Sequence, residues 1–74
     1  MAFTIIELQT TDNVTAVVPP QTRQNENEAK SVWHTIMAAA AISNVEYHAA
    51  VILDEKGNSI KKDCYYHPNP PTNQ

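Results

Sequence analysis

The chain has 74 residues, a net charge of −3, one cysteine and one glycine. These numbers hold it to one small domain and exclude an internal disulfide. They also leave out the glycine-rich phosphate loop of common nucleotide enzymes and the basic patch on which nucleic-acid binding draws. A lone cysteine fits a reducing compartment. The N-terminal stretch lacks a positive region followed by a long apolar run, so no secretory signal is expected. The most apolar run, Ile36 to Ile42, is far shorter than the ~20 residues a bilayer span needs. The expectation is a cytoplasmic protein with no membrane and no nucleic-acid partner.

Phe3 to Leu8 is rich in β-branched and aromatic residues and predicts a strand. Thr10 to Asn13 is turn chemistry, because Asp and Asn bond their own backbone and tolerate left-handed conformations. Val14 to Val18 completes a hairpin. Pro19 and Pro20 lack the N–H a ladder needs, which places this strand at a sheet edge and the first strand in the middle.

Asn25 is the expected N-cap of a helix running from about Glu26 to about Ser43, with Glu28 placed to close a capping box. Ala29, Val32, Trp33, Ile36, Met37 and Ala40 recur at helical spacing and form one buried stripe. Asn44 suits a left-handed helix end.

Val45 to Leu53 and Asn58 to Tyr66 predict a second hairpin around Gly57. A three-residue loop would pair Asp54 with Asn58, and a four-residue loop would pair Leu53 with Asn58. The two registers place different side chains on each face. The second separates apolar from polar better and is the one expected. It gathers Val45, Tyr47, Ala49, Val51, Leu53, Ile60, Cys64 and Tyr66 on the core face, with Lys62 out of place. Glu46, His48, Ala50, Ile52, Lys61, Asp63 and Tyr65 take the other face, with His48 opposite Asp63. The fold class is therefore α+β: residues 1–66 form a single β-β-α-β-β domain, one helix packed on one face of a mainly antiparallel four-stranded sheet. Residues 67–74, rich in proline and asparagine, form an extended or disordered tail.

The histidines and Cys64 invite a zinc or Cys–His reading. The spacing fits no zinc-finger pattern, and the expected register puts Cys64 and His48 on opposite faces. A Cys–His nucleophile needs the two in hydrogen-bond contact. No catalytic, metal or cofactor residue is assigned. His48 and Asp63 are instead expected as a cross-strand surface pair, and His48, Asp63 and Tyr65 as candidate contacts for a ligand or partner.

One helix covers one face of a sheet. Phe3, Ile5, Ala50 and Ile52 fall on the face expected to be uncovered, and exposed apolar patches mark partners. These four are the candidate interface, and self-association into a homodimer is expected. A small interaction protein follows, with an unidentified protein partner. Its alternative is a small-molecule binder with a pocket between protomers, built from Trp33, His34, His48, Tyr65 or Tyr66.

The segment "AVILDEKGNSIKKDCYYH", after a helix containing "VWHTIMA", resembles a loose group of small bacterial and phage-type proteins of unknown activity. The resemblance covers about the last half of the chain. It implies a small α+β protein and transfers no functional residue. Size, acidity and the lack of catalytic residues fit an accessory protein or host-protein inhibitor encoded by a phage or mobile element.

Overall fold

The computed structural model describes residues 1–68, so most of the expected tail, residues 69–74, lies outside the described residues. Five elements follow in the expected order: β1 (Phe3–Thr11), β2 (Val14–Arg23), α1 (Glu26–Ala41), β3 (Tyr47–Leu53) and β4 (Ser59–Tyr66). They form one antiparallel sheet in the order β2-β1-β3-β4, with β1 inside and β2 at an edge. No helix among the described residues is long and apolar enough to cross a membrane.

The β1–β2 turn is built as its residues demand. Asp12 and Asn13 take φ of 53° and 65°, which makes a two-residue turn matched to the twist of the strands. β2 does not stop at the prolines. It runs on to Arg23, because the register slips between Ile5 and Glu7. The bulge takes up Pro19 and Pro20, whose missing donors cost nothing on an edge.

At the start of α1, Asn25 Oδ1 accepts the N–H groups of Asn27 at 2.7 Å and Glu28 at 3.3 Å, satisfying donors that the first turn leaves orphaned. Ala29, Trp33, Ile36, Met37 and Ala40 are buried on one stripe. The other end departs from expectation. Asn44 is not a left-handed cap, since Asp12 and Asn13 are the non-glycine residues with positive φ. The helix closes at Ile42, with Ile42 N–H donating to Ala39 O and Ser43 N–H to Ala40 O. His67 Nε2, from the far end of β4, reaches Ala40 O at 2.8 Å. It supplies the donor that the last turn, which has no basic residue, lacks.

The β3–β4 hairpin combines both registers weighed above. Asp54 N–H donates to Asn58 O at 3.0 Å and Gly57 N–H to Asp54 O at 3.1 Å, which closes the three-residue loop. Gly57 sits at φ 83°, as a left-handed loop end requires. Leu53 then pairs with Ser59, but Ile52 pairs with Lys61, so Ile60 is the extra residue of a bulge. The bulge restores the face alternation of the four-residue register while moving every pair from Ile52 onward two residues along β4. Tyr47, Ala49 and Val51 therefore share a face with Tyr66, Cys64 and Lys62.

The assignment of the two faces is the main correction. Phe3, Ile5, Ala50 and Ile52, expected to be uncovered, are 5%, 1%, 2% and 0% exposed and form the core with the helix stripe. The face expected to pack on the helix is the open one. Strand order explains this. β2 and β3 are both antiparallel to β1 and so parallel to each other, and α1 connects them across β1. Crossovers of this kind take one hand almost without exception, so topology selects the covered face even when both are apolar. Ala50 then fits that face well. Its small side chain admits the Trp33 ring, whose Nε1–H donates to Ala50 O at 3.0 Å. Lys61 lies 4.8 Å over the same ring, so its stem and charge close the rim of the core.

Candidate functional site

The open face is built by alternation. Ile6 and Leu8 of β1 point away from the helix. Val17 of β2 pairs with Leu8, and Leu8 pairs with Ala49 of β3. Ala49 in turn pairs with Cys64 of β4. Ala49 is the short side chain at the centre of this row, so the sheet surface dips there. The dip is a hollow of about 440 Å³ lined by Leu8, Ala49, Ala50, Val51, Lys62, Asp63 and Cys64. Ala50 and Asp63 contribute backbone to its floor, since their side chains alternate to the other face. Cys64 is an exposed free thiol and not the buried one expected, because the face that carries it is uncovered.

Two residues along β3 from Ala49, Tyr47 and Tyr66 face each other across β3 and β4. Their rings stack at 4.8 Å with 28° between planes, and they stay 44% and 55% exposed. Hollow and tyrosine pair lie on the same face. Lys62 is the charged side chain that β1, β3 and β4 place there.

The covered face holds a polar chain that the sequence reading missed. His48 is buried at 4% exposure, not a surface residue. Its Nε2 lies 2.5 Å from Glu7 Oε2 and its Nδ1 3.0 Å from Ser43 Oγ. Gln9 Nε2 donates to the same Glu7 oxygen at 2.9 Å, and Ser43 Oγ donates to Ala40 O at 3.2 Å. Ser43 Oγ also accepts Val45 N–H at 3.4 Å. Every member of the chain is satisfied, as buried polar groups require. A serine, a histidine and a carboxylate in sequence resemble a catalytic triad. Here the serine is occupied in ending the helix, and the hollow is on the opposite side of the sheet, so the chain joins helix to sheet. The pairing was hidden because His48 belongs to a strand whose two faces look equally plausible, and Glu7 is 41 residues away.

The expected His48–Asp63 pair does not form. His48 sits opposite Tyr65, and Asp63 opposite Ala50. Asp63 Oδ1 instead accepts the N–H of Cys64 at 2.8 Å. Tyr65 is 41% exposed and stacks on the His67 ring at 6.2 Å. His34 is exposed on the helix and meets Trp33 edge-on at 5.0 Å. Of the residues considered for a pocket between protomers, Trp33 and His48 are buried within the chain, while His34, Tyr65 and Tyr66 are exposed. Among the described residues, no three His, Cys, Asp or Glu side chains gather as metal ligands would.

Comparison with protein-family models, curated proteins and solved structures finds no match.

Proposed function

We propose that this chain is a small non-catalytic interaction protein whose working surface is the open face of its sheet, centred on Leu8, Ala49, Val51 and Cys64. The observation that carries this reading is one uncovered apolar sheet face opposite a complete core. Sheets leave one face to solvent when that face is polar, and contiguous apolar patches on small proteins mark contacts. A chain of this size buries a thin core, and covering the second face adds the stabilisation it lacks. Small size and acidity suit an accessory or inhibitory role, since complementary charge speeds encounter with a basic partner.

The alternative is a small-molecule binder. It draws on the hollow, whose volume of about 440 Å³ falls within the range of ligand pockets.

Val51→Lys puts a charge in the middle of the face without touching the core. The interaction reading expects this variant to keep its circular dichroism and to lose association with other chains, a second copy included. Unchanged association would defeat it. Native mass spectrometry of the untagged wild type tests the alternative, which requires a small added mass per chain.

A further inference from the structure

The occupant of the open face follows from its own relief. We propose that it is a second copy of this chain, joined face to face about a twofold axis so that the Tyr47–Tyr66 pair of each copy fills the partner copy's hollow at Ala49. This rests on the interaction reading and names its partner.

A twofold interface must be self-complementary: if one patch contacts another, the reverse contact is made as well. The open face meets that condition. It carries a projection, the stacked tyrosines at 44% and 55% exposure, and a depression of about 440 Å³. The two lie two residues apart on β3, about 7 Å. An axis midway between them exchanges projection for depression in both copies at once.

Charge favours the same occupant. The chain carries net −3, so two copies repel over most of their surface. Glu7 and Asp63 belong to the covered side of the sheet, and the open side keeps Lys62. In the exchange, a partner tyrosine ring entering the hollow arrives beside the Lys62 ammonium, a favourable cation–aromatic contact.

The test is sedimentation equilibrium of the full, untagged chain over a wide concentration range, with three variants. Ala49→Trp fills the hollow, Tyr66→Ala removes half of the projection, and Lys62→Glu reverses the charge beside the hollow. The expected result is a wild-type dimer whose dissociation constant rises at least about tenfold in each variant. Circular dichroism of the dilute proteins should be unchanged. Tyr66 is exposed near the end of β4, so its variant remains informative if Ala49→Trp fails to fold. Cys64 gives a second readout: its modification by a thiol reagent should slow as the wild-type chain associates.

A wild type that stays monomeric at every concentration overturns the proposal. So does a dimer indifferent to the Ala49 and Tyr66 substitutions, because its contact then lies elsewhere. Neither result removes the interaction reading, which falls only when Val51→Lys leaves all association intact.

Discussion

Glu7 and His48 meet at 2.5 Å between Oε2 and Nε2, on diagonal positions of β1 and β3 beneath the end of α1. The contact ties the central strand of the hairpin to the segment that follows the helix, through Ser43 Oγ at 3.0 Å from His48 Nδ1. It is the main polar joint in a core otherwise made of Phe3, Ile5, Ile52 and the helix stripe.

His48→Ala leaves the Glu7 carboxylate, 18% exposed, with Gln9 as its remaining partner. A buried polar group that loses its partner costs about 1–3 kcal/mol, so His48→Ala should lower the urea midpoint by an amount in that range. Glu7→Gln keeps an acceptor for the ring and should cost less than His48→Ala. Urea denaturation with unchanged slope measures both. A His48→Ala variant as stable as wild type would mean the chain holds nothing together.

Trp33→Phe keeps most of the ring and deletes the Nε1–H that bonds Ala50 O. The carbonyl is in a buried part of the sheet, so the expected loss is about 1–2 kcal/mol. Trp33→Ala also opens a cavity under α1 and should lose about 3–5 kcal/mol. Thermal unfolding followed at the sheet signal would separate the two. Equal losses would show that the hydrogen bond, and not the ring volume, carries the effect.

Asp54 shapes the β3–β4 loop. Its carboxyl is held below its ordinary value of 3.8, chiefly by the Asn58 backbone N–H. Partial dehydration opposes this, while the Asn58 amide, the Lys56 N–H and the Lys56 charge assist. A carboxyl with a depressed folded value stabilises the fold above its unfolded value and loses that contribution as pH falls through the folded one. The stability gap between wild type and Asp54→Asn should therefore be constant near neutrality and narrow in acid below the ordinary value. A gap that widens in acid would reverse the sign and refute the assignment.

Asp63 guards an edge. β4 is an outer strand, and its Cys64 N–H is taken up by the Asp63 carboxylate at 2.8 Å. On the other edge, Pro19 and Pro20 remove two donors outright. Free strand edges invite pairing with further chains. Asp63→Ala should shorten the lag before thioflavin-binding aggregates form, while leaving the circular dichroism of fresh protein unchanged. Identical lag times would show that the edge needs no guard.

Much of this protein was legible residue by residue. The Asp12–Asn13 turn, the Asn25 cap, the Trp33 stripe and the left-handed Gly57 are each dictated by local chemistry that operates within a few positions. So is the edge placement of β2, since a proline cannot donate wherever it lies. From these the element order and the four-stranded α+β architecture followed.

What the tertiary structure alone decided is which face of the sheet the helix covers. Phe3 and Ile5 compete with Ile6 and Leu8, and Ala50 and Ile52 with Ala49, Val51 and Leu53, on nearly equal hydrophobic terms. Alternation assigns residues to faces but does not say which face is inside. The choice is made by the crossover from β2 through α1 to β3, whose handedness is a property of the whole path. Once made, it buries His48 against Glu7, exposes Cys64 and leaves the hollow at Ala49 open. The bulge at Ile60 was equally beyond local reading, because it reconciles a loop that closes in one register with a sheet that pairs in the other.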